Sequence, residues 1–301
     1  MPDPAPIVSV VGYLSLDAIE GPRGAYRDVP GGAALYAALG ARAAGGKARL
    51  VAKLCGDFPE TVLDALVSLG IDLDELEPAS GATRRARLVD PGASLNGSGA
   101  RQSPHHEDAD WWARTYALAP KPCAKAAQAM VLGPMPAAAL DGHLGAARAA
   151  GARVIADTSE AFAGTQGEEL LARVPSFDLF APSREEARLL FPGMSDEDAH
   201  DELARRCPRV VQKRGAEGLW WSSAGRPLTR WPSQARRIVE STGAGDALVG
   251  ALAAGLARGL AVPELLELAS EVAARNLSAV GPFGLGLPMP AFEGASHARR
   301  G

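Results

Sequence analysis

The sequence predicts an α/β fold built on a mainly parallel sheet, and three observations carry that reading. Ile7 to Gly12 is an apolar run of strand length. Between Ala129 and Asp157 an apolar strand, a helical stretch over Ala137 to Ala150 and a second strand follow one another, which is the alternation of parallel α/β units. Ala247 to Leu256 is small and apolar all round; it is too long for a strand, has no polar face and reads as a buried helix. With 301 residues, 47% of them hydrophobic, the chain can bury one large core or two smaller ones. Aromatic residues are only 5% and Ala and Gly abound, so helices can pack closely on the sheet.

Composition also excludes function classes. The net charge of -4 offers no broad basic footprint for nucleic acid. Cys55, Cys123 and Cys207 are odd in number and far apart, which gives neither a disulfide framework nor a metal motif and suits a reducing cytoplasm. Met1 to Pro6 does not read as a signal peptide, and Gly and Arg258 interrupt the longest apolar run, so no membrane span is expected. The Gly-x-x-x-x-Gly-Lys-Ser/Thr phosphate loop, a Gly-x-Gly-x-x-Gly after the first strand, and Gly-x-Ser-x-Gly are all missing.

Taken in order, the first strand leads to Tyr13–Asp17, expected as a loop at the ligand crevice. Asp17 there is placed to accept hydrogen bonds from substrate hydroxyls, or is an ordinary loop aspartate. Gly31-Gly32 precedes an Ala-rich helix, Ala33 to Arg42, and exposes backbone at its start. Arg49 to Leu54 reads as a strand, Gly56-Asp57 as a turn, and Glu60 to Gly70 as a helix; Asp57 is placed to cap the helix. Ala82 to Val89 reads as a strand before a turn-rich stretch. Its Arg84, Arg85 and Arg87 either form a solvated face or meet a phosphate on the substrate. His105-His106-Glu107-Asp108 is read as an exposed loop, and Trp111-Trp112 as the start of a helix or strand. Asp178 to Pro182 is a buried strand, followed by a Ser183-x-x-Glu186 capping box opening a helix. Arg209 to Trp221 reads as strand, glycine turn and strand, with Gly215 and Gly218 in the turn. Pro263 to Leu277 is helical, and the tail from Glu293 is expected to be loose.

The chemistry concentrates at Gly243-Ala244-Gly245-Asp246. Two glycines at the start of the buried helix let successive N–H groups point at one spot, and the helix dipole adds to this anion site. A carboxylate aimed at a bound anion would repel it. Asp246 therefore either takes a proton from a hydroxyl that attacks a phosphoryl group, or merely favours the first helical turn.

Ser241-Thr242-Gly243-Ala244-Gly245-Asp246-Ala247 resembles the C-terminal signature of the PfkB (ribokinase-like) family of carbohydrate and nucleoside kinases, whose usual form is Asp-Thr-x-Gly-Ala-Gly-Asp. Here Glu240-Ser241 stands where Asp-Thr is usual. Similar blocks run in the family's order from Val8 to about Gly286. The resemblance implies one domain over residues 1–301: a three-layer α/β/α sandwich with a small β-sheet lid from segments 13–30 and 82–117, often a dimer contact. It implies an ATP- and Mg²⁺-dependent kinase for a hydroxyl, a CH₂OH by expectation, of a small sugar or sugar-like substrate. Asp246 would be the general base and Gly243, Ala244 and Gly245 the anion hole. Asp17, Gly31, Gly32 and Tyr36 would bind substrate, with Tyr36 at the usual Asn position, and Asp57 would border the substrate if it does not cap the helix. Ser183, Lys213, Gly215, Gly218 and Asn276 would meet the nucleotide, Glu186 would help position Mg²⁺, and Asp157 would reach a metal through water. Carbonyls near Glu240 and Ser241 are where some relatives hold K⁺. Alternatives are a nucleoside or inositol kinase, and a nucleotide- or sugar-binding protein without turnover.

Overall fold

The computed structural model describes residues 5–21, 24–89, 109–224 and 226–289. The turn-rich stretch after Val89, the His105–Asp108 loop and the C-terminal tail lie outside the described residues. Among the described residues the strands are β1 (Ile7–Val11), β2 (Ser15–Gly21), β3 (Gly24–Gly31), β4 (Lys47–Cys55), β5 (Asp72–Ala79), β6 (Arg87–Val89), β7 (Ala129–Leu132), β8 (Arg153–Ala156), β9 (Leu179–Phe180), β10 (Arg209–Lys213), β11 (Leu219–Ser223) and β12 (Thr229–Trp231). The helices are α1 (Ala33–Ala43), α2 (Glu60–Ser68), α3 (Ala109–Ala117), α4 (Ala137–Ala150), α5 (Glu160–Thr165), α6 (Gly167–Leu171), α7 (Arg184–Leu190), α8 (Asp196–Arg206), α9 (Ala244–Ala257) and α10 (Val262–Leu277).

Nine strands form one sheet in the order β12-β11-β10-β9-β8-β7-β1-β4-β5, parallel from β5 to β10 and antiparallel at the β11 and β12 edge. The apolar runs read from the sequence are its central strands. Side chains alternate between two faces. Val8 and Val10 of β1, Val131 of β7 and Ile155 of β8 pack with α1, α9 and α10. Val11, Met130, Leu132 and Val154 pack with α4, α7 and α8 on the opposite face. This is the three-layer α/β/α arrangement.

The small residues of α1 and α9 have a specific use. A Cβ on Gly40 would overlap the backbone of Ala247, and one on Gly250 would overlap the backbone of Ala37. The two helices therefore cross backbone to backbone, which fixes the start of α9 against α1. A separate three-stranded sheet, ordered β3-β2-β6, stands beside the main sheet as the lid. It differs from the sequence reading in two places. Asp17 belongs to strand β2 and not to a loop. The stretch 82–89 contributes only Arg87–Val89 as a strand, preceded by a Ser15–Arg84 bridge, while residues 109–117 form helix α3.

Candidate active site

The C-terminal ends of β1, β7, β8 and β10 open on one crevice, the general ligand position of open α/β sheets. A cavity of about 290 Å³ lies there, and Asp17, Gly32, Tyr36, Glu186, Gly243 and Asp246 all line it. A larger cavity of about 560 Å³ lies where β8 and β10 begin, beside Arg153, Arg209 and the start of α10, away from every candidate residue.

The floor of the crevice is the start of α9. Its N-cap, Gly243, has φ 71, and no side chain caps the helix. The first helical hydrogen bond runs from Ala247 N to Gly243 O at 2.9 Å, and Ala244 N lies 3.4 Å from Ser241 O. The amides of Gly245 and Asp246, in the first turn, thus have no carbonyl of their own helix to bond. The ring of Tyr36, 1% exposed, fills the space where a Cβ of Gly243 would stand. Tyr36 therefore supports the turn from below as well as lining the pocket.

The preceding loop is held from within. Glu240 accepts from Thr242 N at 2.6 Å, from Thr242 Oγ1 and from Gly281 N at 3.2 Å. Asn276 Nδ2 donates to Thr242 O at 2.6 Å. Asn276 is fully buried, so the residue expected beside adenine presents no surface to a nucleotide and braces the loop instead.

Beside the floor sits a charged cluster. Lys213 Nζ, at the end of β10, lies 2.7 and 2.6 Å from the two oxygens of Asp157 at the end of β8. Its chain passes against Gly245, where a Cβ would lie 3.4 Å from Nζ. Burial works against the Lys213 charge, but Asp157, Glu186 and Asp246 outweigh it and hold the ammonium protonated above its ordinary range. Burial pushes the Asp157 carboxyl up, and Lys213 opposes that shift. Burial, only partly offset by Lys213, pushes Glu186 up to about 8. Ser183 Oγ accepts from Glu186 N at 3.1 Å, and Glu186 Oε2 accepts from Ser183 N at 2.6 Å. The capping box is thus formed in full, while Glu186 also faces the cavity. Gly215 and Gly218 lie in the β10–β11 connection, outside the lining of this cavity. Among the described residues no group of three or more His, Cys, Asp or Glu side chains could hold a metal by itself.

At the lid end, Asp17 is 3% exposed and packs so tightly on Gly31 that any Cβ there would strike its carboxylate. Asp57 is not among the residues lining the cavity, and the N-cap of α2 is Pro59 instead. Its Oδ1 accepts from Thr83 N at 2.7 Å and Thr83 Oγ1 at 2.5 Å, anchoring the segment that enters the lid. Arg85 and Arg87 pair with Asp57 and Glu20 on the exposed face. Arg84 differs: it turns inward between Tyr13 and Trp111 and lines the cavity. The sequence reading did not single out Tyr13, Trp111 or Phe162 for the site; their separation along the chain leaves no local motif.

The family model for pfkB family carbohydrate kinases matches residues 10–285. The chain belongs to this family. A cytidine kinase from Thermococcus kodakarensis is 28% identical over 92% of this chain and 98% of its own length. The nucleoside kinase of Burkholderia thailandensis in complex with inosine superposes with a TM-score of 0.72 at 21% identity, covering 91% of this chain and 92% of that one. A putative ribokinase II from E. coli in complex with ATP and Mg²⁺ gives 0.71 at 17% identity, over 92% and 94%. These structures share the fold. This PfkB protein is a phosphotransferase with an alcohol group as acceptor, a kinase of the sugar and nucleoside class. Among its described residues no helix is long and apolar enough to cross a membrane.

Proposed function

We propose that this PfkB kinase phosphorylates a CH₂OH group of a small sugar or nucleoside, with Asp246 as general base. The observation that carries the reading is the shared cavity. Asp246, Gly243 at the uncapped start of α9, and Asp17 all line it. A hydroxyl-bearing substrate anchored at Asp17 presents its CH₂OH to Asp246, which takes the proton as the oxygen attacks. The backbone amides of the Gly243-Ala244-Gly245 turn would meet charge developing on the transferred group, and Lys213 adds a fixed positive charge beside Gly245. Mg-ATP supplies the phosphoryl group when bound. The residues present fit it: the first turn of α9 would cradle phosphate oxygens, and Glu186 faces the same cavity as a carboxylate on the metal side, with the remaining positions left to water and phosphate. Potassium fits less well, because Glu240 and the Thr242 carbonyl are already engaged by Thr242, Gly281 and Asn276.

A specific observation favours a nucleoside as the acceptor. The cavity is also lined by Tyr13, Trp111 and Phe162, flat apolar rings that suit a base better than a free sugar. The test is an ATP-dependent ADP-release screen with Mg²⁺, with and without K⁺, across pentoses, hexoses, inositols, nucleosides and sugar phosphates. Turnover of one class supports the kinase reading. Silence across the panel with intact ATP binding returns the different-class alternative, a binding protein without turnover.

A further inference from the structure

The nucleoside reading leaves one half-buried guanidinium, with its Nε fully enclosed, unexplained. Arg84 is held by its backbone to the strand that carries Asp17: its carbonyl accepts from Leu16 N at 2.9 Å, across the Ser15–Arg84 bridge. Its guanidinium lies 4.4 Å from the centre of the Tyr13 ring and 4.9 Å from that of Trp111. Both rings attract the charge, but neither accepts a hydrogen bond in the guanidinium plane. Nε of Arg84 is buried with no hydrogen-bond partner, and Asp17 acts on its charge electrostatically without satisfying that donor. Its neighbours are otherwise employed: Arg85 with Asp57, Arg87 with Glu20, and Arg114 with the carbonyl of Ala82.

A donor left unsatisfied in a buried place costs free energy that an incoming acceptor recovers. The chemistry of that acceptor follows from the surroundings. Asp17, Glu160, Glu186 and Asp246 line the same cavity, against Arg84 and Arg85. With Glu186 pushed up to about 8 by burial, Asp17, Glu160 and Asp246 are the carboxylates that disfavour an anionic substrate, so the acceptor is a neutral oxygen. The adjoining rings call for a flat partner. We propose that Arg84 is a specificity-determining residue that donates to an exocyclic carbonyl oxygen of the base, so that this kinase selects oxo-nucleosides such as cytidine, uridine or inosine over adenosine and free ribose. The inference rests on the nucleoside reading of the cavity, and it assigns the end opposite Asp246.

The test separates binding from turnover. Titration calorimetry with cytidine, uridine, inosine, adenosine and D-ribose is performed on the wild type, R84M and R84K, each checked for its melting temperature. The wild type binds the oxo-nucleosides at least tenfold more tightly than adenosine. In R84M that preference falls by about 10- to 100-fold, the worth of a charge-assisted hydrogen bond. R84K keeps the charge and loses the planar fork, so it loses most of the preference as well; it carries the test alone if R84M does not fold. A wild type that binds adenosine as tightly as cytidine, binds no nucleoside, or keeps its preference in both variants overturns the proposal. Oxo-nucleoside binding that depends on Arg84 but without ADP release leaves the proposal standing and removes the kinase mechanism. Sugar turnover without nucleoside binding does the reverse.

Discussion

Replacing Gly243 by Ala tests how the proposed anion hole is held in shape. The residue sits at φ 71, where a side chain costs about 1–2 kcal/mol. The added methyl would also press into the Tyr36 ring. That ring is buried beneath α9 and has little room to withdraw, so overpacking adds about 1–3 kcal/mol. Together these give about 2–5 kcal/mol of destabilisation, read by denaturant unfolding. The turn cannot absorb this without moving the amides behind it, and turnover falls by about 10²–10³, as for loss of one oxyanion donor. Y36A isolates the contact. In the Y36A/G243A double variant the clash disappears while the backbone penalty stays, so the two losses fall short of additivity by about 1–3 kcal/mol. A G243A protein within 0.5 kcal/mol of wild type, or strict additivity in the cycle, refutes the argument that Tyr36 and Gly243 shape each other.

Glu240 should behave as the internal brace of the same loop. E240A leaves the amides of Thr242 and Gly281 without their acceptor, and unfolding experiments should show a loss of about 2–5 kcal/mol. Because those groups are satisfied without an ion, wild-type turnover in KCl should stay within twofold of that in tetramethylammonium chloride; strong, saturable activation by K⁺ would contradict this. His200 makes stability depend on acid. It is buried with Nε2 2.8 Å from Ser222 Oγ, and burial pushes its pKa down from 6.5 to about 4. A depressed folded-state pKa leaves stability intact above pH 6.5 and removes it as pH falls toward 4, amounting to about 2 kcal/mol by pH 5. In H200Q the fall in unfolding free energy between pH 7 and pH 5 should be smaller by that amount; an unchanged fall would refute the assignment.

Legibility in the sequence followed from how local each signal is. β1, β7 and β8 are covered by helices on both faces, so they read as continuous apolar runs. β5, Asp-Leu-Asp-Glu-Leu-Glu-Pro-Ala, went unread because an edge strand needs only one neighbour and carries charges that an interior strand would not tolerate. β12 is three residues long and mostly exposed. The turn from Gly243 to Asp246 at the start of α9 was legible because its glycines and its carboxylate are contiguous. The Lys213–Asp157 pair was not, since 56 residues separate its members and only the parallel order of β8, β9 and β10 brings them together. The same applies to the lid end, where Tyr13, Arg84 and Trp111 come from three segments. Asn276 misled because its polar side chain is spent inside the protein.

The most direct measurement of the central claim is the behaviour of D246N. ATP affinity is measured by calorimetry and turnover by ADP release, with whichever acceptor the wild type uses. Asp246 lines the cavity through its side chain while its backbone belongs to the first turn of α9. The account expects ATP affinity within about threefold of wild type, and turnover reduced by about 10²–10⁴, the usual worth of a general base. Near-normal kcat in a folded D246N protein would contradict the assignment of Asp246 as the base.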